Sequence, residues 1–312
     1  EVERIAREAR SRGLEVAYAP GLPPHSDFTI YEQVVKAPDV EARIAGLARE
    51  TGLRFGLVTD NRPFYLDLFP NSNYVDGDFW SRFFSGRIDR ADHAAHVVRV
   101  LFVVTISLFA LAIILGPLVF TQGPARNRRS LYHLIYFFCL GAGFMVLEIA
   151  IMQRAGLLFG NPGLTIAIVL AGIILFTGIG SLVSDGTTRV VLSLRTVALL
   201  SALYALFLGF LLSPLLGIML GWPLLLKAAA LILVIAPGGF VLGQLFPRGL
   251  AMAQRDDSAL VPWAWAINGA MGTVTAGVAP LLAQAWGFDM LFFVAAALYA
   301  VILLLPPYIR AR

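Results

Sequence analysis

The chain has 312 residues, of which 58% are hydrophobic and only 14% charged, and its mean hydropathy is +0.76. A soluble globular domain carries about 25% charged residues, so the composition excludes an ordinary soluble protein, a disordered chain and a disulfide-stapled one. Of the 44 charged residues, 27 fall within residues 1–97 and 17 are spread over 98–312, which divides the chain into a polar segment and a membrane block. The single cysteine, Cys139, allows neither an internal disulfide nor a thiolate zinc site. The net charge of +4 arises in short loops between apolar runs, a pattern of membrane topology rather than of nucleic-acid binding.

In chain order, residues 1–12 have the pattern of a helix with Ile5, Ala6 and Ala9 on one face, closed by Gly13. Leu14–Ala19 reads as a buried strand, 38–51 as a second helix entered through Pro38, and Arg54–Val58 as another short strand. Helix, strand, helix, strand is an α/β layer pattern. No glycine-rich phosphate loop accompanies it, so residues 1–70 are expected to be the trailing part of an α/β, Rossmann-type domain within a longer polypeptide. Asp60 and Arg62, fixed by Pro63, could hold a polar ligand at a strand's carboxyl end; an ordinary solvated turn favours the same residues.

Residues 71–97 are expected to form a linker with an interfacial helix over 77–97. Phe79, Trp80, Phe83 and Phe84 supply its aromatic stripe, and Arg82, Arg87 and Arg90 its phosphate-facing partners. Asp89, Asp92, His93 and His96 share one face of that helix at metal-ligand spacing. A salt-bridged surface helix accounts for them as well, and no metal is assigned.

Residues 98–312 contain seven apolar runs of spanning length, about 100–121, 131–152, 163–184, 197–219, 222–246, 262–285 and 287–309. The expected fold is therefore mainly α: a polytopic membrane helix bundle of about seven spans behind an α/β fragment. Arg126, Arg128, Arg129, Arg189, Arg195, Arg248, Arg255, Arg310 and Arg312 fall in loops of one face, against only Arg154 on the other. The positive-inside rule puts the arginine-rich face in the cytoplasm, while Arg82, Arg87, Arg90 and Arg99 before the first span pull the other way.

Polar groups inside spans are functional candidates by default. Glu148 is the sole acid well inside a run and is followed by Gln153 and Arg154; Gln244 and Asn268 lie in later runs. They could serve a cationic ligand, or Glu148 could belong to a buried ion pair that fixes packing. Lys227, one turn into its run, can snorkel and is assigned no role. Pro237-Gly238-Gly239 predicts a kinked or broken helix whose freed backbone groups could meet a ligand. A faint echo between Gly143-Phe144…Glu148 and Gly239-Phe240…Gln244 would fit an inverted repeat of three spans.

TDNRPF (59–64), GAGFMVLEIAIMQRAGLLFGNPG (141–163), GIGSLVSD (178–185), PGGFVLGQLFPRGL (237–250) and PWAWAINGAMGTVTAGVAPLLAQAWGF (262–288) together resemble the C-terminal half of bacterial membrane-bound spermidine synthase-like proteins. In that family an aminopropyltransferase-type domain is fused to membrane spans. Here Asn61 stands where the family has a second aspartate before Arg-Pro-Phe. The resemblance implies a transferase moving a group from an S-adenosylmethionine-type donor to a polyamine or other small cation, in a multi-pass protein of the bacterial inner membrane with its α/β part in the cytoplasm. The family's catalytic residues would precede Glu1, so this fragment is expected to bind no cofactor itself. Its partner is the lipid bilayer, with no nucleic acid. A carrier or channel for a small cation, or a purely structural anchor, are the alternatives.

Overall fold

The computed structural model describes residues 2–13, 16, 21–22, 33–51, 58–64, 77–85, 90–120, 127–184 and 192–305. They form two compact units: residues 1–58 with 65–81, and residues 59–64 with 82–312. In the first unit, α1 (Val2–Ser11) turns off at Gly13, which takes φ +72°, and α2 (Val40–Thr51) follows. The first matches the apolar spacing of 1–12, and the second begins two residues after Pro38, within the expected 38–51. Among the described residues there is no strand, only an isolated bridge between Thr59 and Arg62. The two strands expected at 14–19 and 54–58 fall almost wholly outside the described residues.

The interfacial helix expected over 77–97 is not one helix. α3 (Gly77–Phe84) ends before Ser85, and a separate helix, α4 (Arg90–Ala110), runs straight into the first span. That span continues through a π-helical turn, Leu111–Leu115, into α5 (Gly116–Val119). The irregular turn sits just ahead of Pro117, whose missing N–H breaks the ladder of i→i−4 bonds.

The remaining helices are α6 (Arg128–Phe159), α7 (Pro162–Val183), α8 (Leu194–Met219), α9 (Leu224–Leu242), α10 (Leu245–Asp256), α11 (Leu260–Trp286) and α12 (Phe288–Leu304). Local sequence sets several of their ends. Asn127, Asn161 and Ser193 cap α6, α7 and α8 by accepting from the amide three residues on, at 2.8, 3.1 and 3.1 Å. Gly160, at φ +62°, closes α6, and Pro162 opens α7.

Six helices are long and apolar enough to cross a membrane: Val97–Leu118, α6, α7, α8, α9 with α10, and α11. The seventh expected run forms only the 17-residue α12, about 26 Å at the helical rise and so short of a ~30 Å hydrocarbon core. α11 runs unbroken through Pro280, and α9 runs unbroken through Pro237. The break predicted at Pro237 falls instead at Gly243–Gln244, between α9 and α10, where Tyr136 Oη donates to Leu245 O at 2.7 Å.

α6 is the central helix. Within its most apolar window 61% of residues are buried, against 11% for the first span, whose exposed Leu101, Phe102, Leu108 and Phe109 form a surface suited to lipid. Tyr136, Phe137, Ala150, Leu208, Phe292 and Tyr299 make up the heart of the core. α7 and α9 run parallel and touch backbone to backbone. A Cβ on Gly180 would lie 2.1 Å from Phe240 O, and one on Gly243 would lie 2.1 Å from Thr177 O. In a bilayer, where helices gain little by burying apolar surface against each other, such close approach is a main source of association.

The carboxyl ends of α6 and α11 and the amino end of α12 meet at one end of the bundle. Arg128 and Arg129 at the start of α6 and Asp256 at the end of α10 lie at the other.

Candidate functional site

Residues 59–64 belong to the membrane unit although both flanking stretches belong to the other unit. Thr59 to Arg62 form a tight turn: Arg62 N–H donates to Thr59 O at 2.8 Å and to its hydroxyl at 3.2 Å. The turn sits on the junction between α11 and α12. Arg62 donates from Nη2 to the carbonyls of Gln284 and Ala285, each at 3.0 Å, capping the end of α11 with a cation. Asn61 treats the start of α12 in the opposite sense. Its carbonyl accepts from Phe288 N–H at 3.0 Å, and its Oδ1 from Asp289 N–H at 2.9 Å.

A helix normally carries its own N-cap side chain. Here the capping position is Gly287, which has none, and Asn61 supplies the acceptor from 226 residues upstream in sequence. Gly287 is required twice over. Its φ of +91° disfavours other residues, and a Cβ there would come within 2.6 Å of Asn61 Nδ2. Phe64 then packs on Phe288 with ring centroids 5.4 Å apart.

Arg154 completes the joint. It lies inside α6, not in a loop, and is 4% exposed, so it does not belong in the loop-arginine tally. Its Nε donates to Asp289 Oδ1 at 3.0 Å, Nη1 to Asp60 O at 3.0 Å and Nη2 to Asn61 Oδ1 at 3.2 Å; Nη2 also pairs with Asp289. A guanidinium buried in a membrane protein needs this degree of pairing. Lys227, assigned no role above, donates to Leu158 O at 3.3 Å near the end of the same helix.

The candidate residues thus divide. Arg62, Arg154 and the backbone of Asp60 meet in the joint, while the Asp60 side chain is exposed and makes no bond among the described residues. Gln153 is exposed beside Arg154. Gln244, 2% exposed, is consumed locally: its Oε1 accepts from Arg248 Nη2 at 2.8 Å and its Nε2 donates to Phe240 O at 3.3 Å. Asn268 meets α6 through its backbone, since a Cβ on Gly141 would lie 2.3 Å from its carbonyl oxygen.

Glu148 is half-buried and makes no hydrogen bond or ion pair among the described residues. It lines a cavity of about 10 Å³ with Phe144, Ile173, Tyr204, Ile235 and Gly239, room for roughly one water. Gln244 and Asn268 do not line it, so the three intramembrane candidates form no common site. Gly238 does not free backbone for a ligand either. It admits the Tyr204 ring, which a Cβ would meet at 2.0 Å, and Tyr204 Oη donates to Val234 O at 3.2 Å.

Of the candidate metal cluster, Asp89 and the side chains of Asp92, His93 and His96 lie outside the described residues. Among the described residues no group of three or more metal-ligating side chains occurs. A second polar cluster, unforeseen from sequence, lies at the opposite end from the joint. His133, 1% exposed, shares Asp256 with Arg129 at 2.8 and 3.5 Å.

Compared with protein-family models, curated proteins and solved structures, the chain matches none.

Proposed function

We propose that the chain is the membrane module of a spermidine synthase-like protein, a polytopic anchor of the bacterial plasma membrane that tethers an α/β part through residues 59–64. The observation that carries this reading is the joint. Three of the five stretches that bear the resemblance supply it: TDNRPF through Asn61 and Arg62, the α6 stretch through Arg154, and the stretch ending Gln284–Phe288. Residues of such a shared motif act here as caps and as a clasp, which is the chemistry of attachment. Group transfer from an S-adenosylmethionine-type donor to a polyamine-like cation is then a property of the α/β part.

Protease protection tests the anchor. The chain should resist alkaline extraction from membranes, and Arg154→Ala should expose 59–64 to protease while the spans stay inserted; unchanged protection would reject the clasp. The transferase part is tested with membranes bearing the intact protein, decarboxylated S-adenosylmethionine and putrescine. Neither donor binding nor transfer would leave an anchor alone.

A second reading, a carrier or channel for a small cation, is favoured by the carboxyl of Glu148, which has no partner among the described residues and lies beside a water-sized cavity. Uptake into proteoliposomes that Glu148→Gln abolishes would carry it, and absence of uptake by the unaltered protein would remove it.

A further inference from the structure

At the arginine-bearing end of the bundle, a cavity of about 530 Å³ opens between the start of α6 and the link from α10 to α11. Asn127, Arg128, Arg129, Ser130, Asp256 and Asp257 are among its lining residues. Its acceptors are already engaged. Asp256 is held by Arg129 and His133, and Asp257 Oδ1 accepts from Ala259 N–H at 2.9 Å. Its donors are not. Arg128 is exposed and makes no ion pair among the described residues. Asn127 Oδ1 takes the amide of Ser130 and Asn127 O that of Leu131, so the first-turn amides of Arg128 and Arg129 lack helical partners.

Ser130 is the independent observation. It lines the cavity, is only 5% exposed, and its hydroxyl makes no hydrogen bond among the described residues. The residue is otherwise enclosed, so a partner for its hydroxyl can come only from the cavity it lines. Unused donors of three kinds thus converge: a guanidinium, two helix N-terminal amides and a nearly buried hydroxyl. That set fits a tetrahedral oxyanion. The cavity also lies where three membrane-length helices begin or end, the depth at which lipid phosphates lie.

We propose that this cavity binds the phosphate of an anionic lipid headgroup, held by Arg128, Ser130 and the first turn of α6. The test uses the purified full chain in zwitterionic phosphatidylcholine nanodiscs. Phosphatidylglycerol is added in steps, or inorganic phosphate is added instead, and bound lipid is counted by native mass spectrometry. Phosphatidylglycerol should bind saturably. Arg128→Gln should weaken it roughly fivefold, the worth of one interfacial arginine, and Ser130→Ala should also weaken it several-fold. Arg195→Gln, an exposed arginine on the same end that does not line the cavity, should leave binding unchanged. Equal affinity in Arg128→Gln and Ser130→Ala would overturn the proposal. So would an equal loss in Arg195→Gln, which would mean general surface attraction, or inorganic phosphate displacing the lipid at matched concentration, which would mean a soluble oxyanion site. Arg128 is exposed and Ser130→Ala removes one atom, so both variants should fold.

Discussion

Replacing Arg154 by methionine tests the clasp most directly. The substitution keeps much of the aliphatic volume in the core and removes every guanidinium bond: those to Asp289, to Asp60 O and to Asn61 Oδ1. Breaking one side of a buried pair costs about 3–5 kcal/mol. The Asp289 side chain is 29% exposed against 5% for Arg154, so water can meet part of the stranded carboxylate, and the lower end, about 3 kcal/mol, is expected. Asp289→Asn retains an acceptor for the guanidinium and should cost less, about 2 kcal/mol. With both changes no stranded charge remains, so the double variant should cost less than the two singles added, with a coupling of about 1–2 kcal/mol. Reversible unfolding in mixed micelles, followed by circular dichroism, measures all four proteins. Additive losses would show that the two residues do not act as a pair, and the account of the joint would fall with them.

Gly287→Ala must place a Cβ against Asn61 at a strained φ; a loss of about 1–3 kcal/mol is expected in the same assay, and Asn61→Ala in the same chain should relieve part of it. Gly243→Leu should force α7 and α9 apart, because even a Cβ would overlap Thr177 O; retention of the parental stability would refute backbone contact there. Glu148→Gln is nearly isosteric and breaks no bond seen among the described residues, so unfolding should shift by less than about 1 kcal/mol; a large loss would reveal a partner for this carboxyl. Finally, a donor of the S-adenosylmethionine type requires the joint end in the cytoplasm, so in intact cells Thr59→Cys should not react with an impermeant maleimide and Asn127→Cys should, against a quiet background because Cys139 is 3% exposed. The reverse pattern, which the arginine asymmetry favours, would remove the transferase reading and leave the anchor.

The first six spans were legible because twenty-odd apolar residues between turn signals allow little else, whereas the caps at Asn127, Asn161 and Ser193 came to light only with the helix ends they bond. The joint was only half legible. Asp60, Arg62 and Arg154 stood out as charges in unusual places, but the residue with most to do there is Asn61, whose partners are 227 and 228 residues away. No local period announces such a contact. Nothing in the local sequence marks Asp289 or Gly287 as part of the joint. Pro237-Gly238-Gly239 misled because small residues in a span signal both a ligand-facing break and tight packing. Tyr204 fills the space, so packing accounts for them. His133 and Asp256 escaped notice because they sit on helices distant in sequence, joined only when α10 folds back beside α6.

The clasp also bears on the order in which the chain can be made. Arg154 reaches back 94 residues to Asp60 and forward 135 to Asp289. During synthesis the turn at 59–64 exists long before either helix it caps, and the arginine enters the bilayer before its carboxylate partner has left the ribosome. Until α12 arrives, the nascent bundle holds an incompletely neutralised cation, a feature that membrane quality-control proteases and chaperones can recognise. α12, too short to be a comfortable span by itself, would then act as the seal on this joint. Chains truncated at Gly287 should accordingly be degraded faster than full-length ones, and Arg154→Met should lengthen the life of the truncated form.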